Sequence, residues 1–132
     1  MNVLVDTSVW VDHFRHGNAR LVDLLTVDAV LIHPIVVAEI ACGTPPEPRA
    51  QTLANLRLLQ SSKQAALAEV MTWIEEEKLY GLGCGLVDMI LLASTLITPG
   101  ALLWTLDKRL HRLAERFQVA FPGDRVFLRE EK

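Results

Sequence analysis

Apolar and polar residues fall in blocks along this chain, and the blocks change character in a regular order. Asn2-Val3-Leu4-Val5 is a short apolar run that reads as a strand, closed at once by Asp6-Thr7-Ser8. Thr7 or Ser8 suits the N-cap of a helix running to about Arg15. Gly17-Asn18 interrupts that helix, and a second one follows with Leu21, Leu24 and Leu25 at helical spacing. Ala29-Val30-Leu31-Ile32 is continuously apolar, as expected of a strand covered on both faces. Pro34 fits the first turn of a helix that ends at Gly43. Thr44-Pro45-Pro46-Glu47-Pro48 is a turn leading into a helix from about Arg49 to Gln60. A longer helix is predicted from about Lys63 to Tyr80, with Ala66, Val70, Trp73 and Ile74 on one face. Gly81-Leu82-Gly83-Cys84-Gly85 is a loop, and an apolar helix from Val87 to about Ile97 stops at Pro99-Gly100. Leu102 to Thr105 reads as a strand, Lys108 to Phe117 as a helix and Val119-Ala120-Phe121 as a last short strand. A charged tail from about residue 124 is expected to be mobile.

Strands alternating with helical segments imply an α/β domain whose central parallel sheet, of about four strands, is flanked by helices. One domain over residues 1–132 is the expectation, since that length suits a single core. In open parallel sheets, sites form beyond the carboxyl ends of the strands, where the strand order reverses. Asp6 follows one predicted strand and Asp107 another.

Composition narrows the class further. Hydrophobic residues make up 51% of the chain, which excludes a disordered polypeptide. No basic segment precedes an apolar stretch at the start, so no signal peptide is expected. The run from Leu86 to Thr98 contains Asp88 and is too short to span a bilayer, so no membrane association is expected. Cys42 and Cys84 lie far apart without CxxC spacing, which suggests neither a zinc site nor a disulfide framework and points to a reducing cytoplasm. A net charge of −3 gives no general affinity for nucleic acid, so any such role rests on a local patch.

Most of the acids sit in solvated stretches such as Glu75-Glu76-Glu77, but four do not. Asp6 ends an apolar strand, Glu39 is alone in "PIVVAEIACG", Asp88 is alone in "GLVDMILLASTLI" and Asp107 closes "ALLWTLD". Lone acids in apolar runs are costly unless paired, and several brought together raise one another's pKa. A hard divalent cation such as Mg²⁺ or Mn²⁺ removes that conflict, because it favours oxygen ligands. Taken singly, each acid has a plainer reading. Asp6, Asp107 and Asp88 each lie where they can cap a helix, and Glu39 can pair with an arginine. The coincidence of all four favours the metal cup.

These segments resemble a known family. "VLVDTSVWVDHFR" resembles the opening motif of PIN-domain ribonucleases, particularly VapC-type toxins of bacterial toxin–antitoxin pairs. "PIVVAEIACG", "GLGCGLVDMILLAS" and "LLWTLDKRL" resemble the second, third and fourth motifs, in family order and across nearly the whole chain. The resemblance implies a PIN-like fold and a Mg²⁺- or Mn²⁺-dependent ribonuclease that inhibits translation by cutting transfer or ribosomal RNA. It makes Asp6, Glu39, Asp88 and Asp107 the metal-binding and catalytic residues, supported by Ser8. Thr105, two residues before Asp107, is a further candidate through its hydroxyl. Members with this loop often carry a bulky aromatic where this chain has Leu86, a departure that bears on substrate choice.

Lys108, Arg109, Arg112 and Arg116 lie around the polar side of the last helix and are candidate phosphate contacts, although such a run is commonly just a solvated face. Arg15 is a candidate to join them. The four histidines, His13, His16, His33 and His111, show no metal spacing and no evident acid partner. Leu53, Leu56, Leu59, Leu67 and Trp73 are candidates for apolar surface in excess of what one small sheet covers, from which a homodimer is expected. The resemblance adds a small VapB-like, DNA-binding antitoxin that blocks the acid cup. Two other classes fit less well. A haloacid-dehalogenase-like phosphatase needs a second Asp two residues after the first, where Ser8 stands, and a non-catalytic scaffold would not need all four acids.

Overall fold

The sheet is assembled from segments far apart in sequence. In the computed structural model, which describes residues 1–123, strand β1 (Asn2–Val5) lies between β2 (Val30–Ile32) and β4 (Ala101–Trp104). A two-residue strand, β3 (Gln60–Ser61), lies outside β2, giving the order β3-β2-β1-β4 with every pair parallel. Val3 to Val5 and Val30 to Ile32 are all buried, although successive side chains point to opposite faces. Both faces of the sheet are therefore covered, as the continuous apolar runs imply.

Seven helices supply that cover among the described residues: α1 (Thr7–His16), α2 (Ala19–Thr26), α3 (Pro34–Cys42), α4 (Arg49–Arg57), α5 (Leu67–Glu77), α6 (Leu86–Ile97) and α7 (Lys108–Arg116). None is long and apolar enough to cross a membrane. Their ends follow local chemistry. Asn18 is the buried N-cap of α2; its Oδ1 accepts from the Leu21 amide at 3.0 Å and its Nδ2 donates to Asp12 at 3.3 Å. His33 caps α3 through Nδ1, ahead of Pro34 in the first turn.

The α/β architecture agrees with the sequence reading, and four elements differ in detail. The first helix is capped by Asp6 rather than by Thr7 or Ser8. The helix expected to reach Gln60 stops at Arg57, and Gln60-Ser61 pairs with Leu31-Ile32 instead. Both side chains of β3 are polar and exposed, so no hydrophobic pattern marks it. The helix expected from Lys63 begins only at Leu67. Ser62 N–H continues the ladder to the Ile32 carbonyl, while Lys63 donates to Oγ1 of Thr98, the C-cap of α6, and Ala65 to Ser94 Oγ on that helix. Those tertiary partners satisfy amides that would otherwise have a helical use. Val119-Ala120-Phe121 makes a single parallel bridge, Ala120 to Leu103, rather than a strand. The charged tail from about residue 124 lies outside the described residues.

The apolar surplus on the middle helices is smaller than expected. Leu53 and Leu56 belong to the core, and Leu59 and Trp73 are half-buried against it. Leu67 does remain exposed, together with Met71 on the same helix and Leu58 after α4. Replacing Asn18 by Ala removes one cap and one side-chain bond at a buried position. It is expected to lower stability by about 1–2 kcal/mol, read as a shift of the urea midpoint at constant slope.

Candidate active site

Parallel pairing brings the ends of β1 and β4 side by side. Val5 lies opposite Trp104, and the Asp6 amide donates to the Trp104 carbonyl at 2.9 Å. Asp6 thus meets Thr105, Leu106 and Asp107 directly, although about a hundred residues separate them in the chain. Thr105 Oγ1 donates to Asp6 Oδ2 at 2.8 Å and accepts from the Asp107 amide at 3.0 Å. Ser8 Oγ donates to the same Asp6 oxygen at 2.7 Å and accepts from the Leu106 amide at 3.0 Å. Ser8 and Thr105, both expected as supporting residues, therefore hold the Asp6 carboxylate and stitch the two strand ends together.

The other acids arrive from three further segments. Asp107 caps α7, with Oδ1 accepting from the amides of Arg109 at 2.9 Å and Leu110 at 3.3 Å. Asp88 lies in the first turn of α6 and accepts from the Gly85 amide at 3.3 Å. Glu39, near the exposed side of α3, accepts from Thr7 Oγ1 at 2.5 Å. Thr7, which the sequence suggests only as a helix cap, thus joins the site; its place beside Asp6 in "VDTS" is the one signal of it in the sequence. The capping roles weighed for Asp6, Asp88 and Asp107 are all realised. They do not compete with a shared site, because helix N-termini favour negative charge and point three of the acids to one end of the sheet.

All four acids line one cavity of about 570 Å³, open to solvent and also bordered by Thr7, Ser8, Arg15, Gly83 and Gly85. Burial raises the Asp88 carboxyl to about 6, with the charge of Asp6 adding to the rise and those of Asp107 and Glu39 contributing further. The Gly85 amide bond acts in the opposite direction. Among the described residues no three acids, histidines or cysteines already converge as a metal cage. The carboxylates that line the cavity are hard oxygen donors, the ligand type that hard divalent cations favour.

The basic residues are distributed differently from the acids. Arg15 lines the cavity. Arg116 is engaged at the end of α5, donating to the Glu77 carbonyl at 3.4 Å and lying 3.7 Å from its carboxylate. Arg109 donates to the Gly83 carbonyl at 3.4 Å. Lys108 is half-buried and Arg112 exposed, and neither borders the cavity. Two of the histidines have acid neighbours after all: His16 is 3.2 Å from Asp12 and His111 is 3.3 Å from Glu115, each one helical turn away. None of the histidines lines the acid cavity.

Comparison with known proteins identifies the family. The family model described as the PIN domain matches residues 3–116, a span that includes all four acids. Ribonuclease VapC32 of Mycobacterium tuberculosis, from strain CDC 1551 / Oshkosh and from strain H37Rv, is 43% identical over 118 residues. That alignment covers 89% of this chain and 94% of the relative. This chain belongs to the PIN-domain family, among its VapC-type members.

Proposed function

We propose that this protein is a ribonuclease dependent on Mg²⁺ or Mn²⁺ and acts as the toxin of a toxin–antitoxin pair, inhibiting translation by cutting transfer or ribosomal RNA. One observation carries the reading. Four carboxylates from four separate segments line one cavity, where burial first and the charges of Asp6, Asp107 and Glu39 after it raise the proton affinity of Asp88. The relative named Ribonuclease VapC32 supports the choice of RNA over other phosphate esters.

In this reading Asp6, Glu39, Asp88 and Asp107 hold the cation and orient the reactants. When bound, a divalent cation supplies charge that screens the acids, lowers the pKa of water and offsets negative charge developing on the phosphate. Asp6 receives its hydrogen bonds from Ser8 and Thr105 at Oδ2, and Glu39 receives that of Thr7 at Oε1. One oxygen of each is thereby fixed by the protein while the other is left for a cation or water, which reduces the reorganisation needed on binding. A carboxylate not engaged by the cation would take the proton of water as its oxygen bonds to phosphorus, and the ribose oxygen that leaves would take up a proton from solvent. No serine, cysteine or histidine nucleophile is required. In this reading Arg15, on the cavity wall, contacts RNA phosphate, with Lys108 and Arg112 on α7 as further cations despite the acidic total.

The partners follow from the same reading: RNA as substrate, a small VapB-like antitoxin as inhibitor and a second copy of the chain. An antitoxin basic side chain inserted among the acids would occupy the cation's place. Exposed Leu67 and Met71 on α5 are apolar surface available to a homodimer contact. Light scattering at micromolar concentration is expected to give twice the chain mass, and a monomer there would remove the dimer from this reading.

Asp6→Asn and Asp88→Asn keep shape and lose charge. Each is expected to bring RNA cleavage with Mg²⁺ to the level seen with EDTA, while the folded circular-dichroism spectrum persists. Full activity in either variant would remove that acid from the site.

The raised Asp88 pKa also sets a stability trend. The folded state holds this proton more tightly than the unfolded chain, so ionisation costs stability as pH rises from about 4 to about 6 and the cost persists above that. Without divalent cations, Asp88→Asn is expected to be more stable than the parent at pH 7.5, by about 1–2 kcal/mol after allowance for solvent screening. The gain should vanish near pH 4. Thermal unfolding across that range checks it, and a difference independent of pH would refute the electrostatic origin.

A further inference from the structure

We propose that Arg109 is a positioning residue: its side chain clamps the α5–α6 glycine loop at Gly83 and thereby holds the Asp88 carboxylate in the acid cavity. Gly83 has φ of +88°, a conformation that side chains rarely adopt. A Cβ built there would sit 2.6 Å from Arg109 Cδ, 2.7 Å from Nη1 and 2.9 Å from Nε. The arginine side chain therefore lies directly on the glycine backbone, with Nη1 donating to the Gly83 carbonyl across 26 residues of chain. Only a residue without a side chain permits that approach.

Both ends of the clamp lead to acids. The Arg109 amide donates to Asp107 Oδ1 at the start of α7, so the arginine is anchored in the turn that presents Asp107. Two residues beyond Gly83, the Gly85 amide donates to Asp88 Oδ2. Gly81 and Gly83 both have positive φ, so this loop has many alternative conformations to lose on ordering. Arg109 selects one of them, and that conformer aims the Gly85 amide at Asp88. The clamp thus couples two of the four acids through a side chain whose charge alone would suggest a phosphate contact. Groups that orient the ligands of a cation commonly change its affinity about 10–100-fold when removed.

This inference rests on the metal-site reading above for its functional consequence, and its structural half is separately measurable. The variants are Arg109→Ala, which removes clamp and charge, and Gly83→Ala, which displaces the clamp and keeps the charge. The readouts are hydrogen exchange at the Gly85 amide, Mn²⁺ affinity by calorimetry, and affinity for a labelled RNA by anisotropy in EDTA. Both variants are expected to speed Gly85 exchange and to weaken Mn²⁺ binding by about tenfold. Combining them should cost no more than either alone, because both break one contact. Gly83→Ala should leave RNA affinity within about twofold, as it retains every cation. Arg109→Ala carries the test by itself if Gly83→Ala does not fold. Unchanged Gly85 exchange in Arg109→Ala would overturn the clamp. Lost RNA affinity with intact Mn²⁺ binding in that variant would also overturn it, making Arg109 a phosphate contact instead. Absence of Mn²⁺ binding in the parent protein would refute the metal reading, and the exchange result would then decide the clamp alone.

Discussion

The parallel pairing of the first and last strands is the constraint on which the rest of this molecule depends. Asn2 to Val5 align with Ala101 to Trp104, and this register puts Asp6 beside Thr105 and Asp107. A parallel register demands that all the intervening chain cross over the sheet, which the helices between them accomplish. The same crossovers deliver α3 with Glu39 and α6 with Asp88 to the carboxyl end of the sheet. Slipping the register by one residue would turn Asp6 away from Thr105 and expose the apolar residues that now form the core.

A second consequence is that stability and proposed chemistry share side chains. Asp6 and Asp107 satisfy helix amides and also border the cavity, so their capping offsets part of the cost of holding negative charge there. Asp88 has one amide donor and three acidic neighbours, and its carboxyl rises to about 6. Burial is the main cause of that rise, and the single loop amide at 3.3 Å offsets only part of it. A cation in the cavity would offset the charges that add to this rise.

Buried polar groups outside the cavity follow a different logic. His33 caps α3 through Nδ1, and burial pushes its pKa down, so it stays neutral and structural. Ser94 on α6 and Thr98 at its C-cap receive the amides of Ala65 and Lys63, doing for a short extended segment what a strand neighbour would otherwise do. These contacts explain why a stretch with helical spacing is not helical.

The sequence by itself determined the α/β class, the strands whose apolar runs are buried on both faces, and the four acids that stand alone in apolar surroundings. Those features are local: a run of apolar residues closed by one carboxylate is visible in a window of ten. Tertiary structure alone decided the strand at Gln60-Ser61, which is held by backbone bonds and carries no hydrophobic signature. It decided the late start of α5, where side chains from α6 capture the amides. It also decided which basic residues border the acids. Arg15 does so from α1, whereas Arg109 turns to Gly83 and Arg116 to Glu77. Helical spacing assigns a charge to a face, but the neighbour across that face comes from a distant part of the chain, and only folding brings it there.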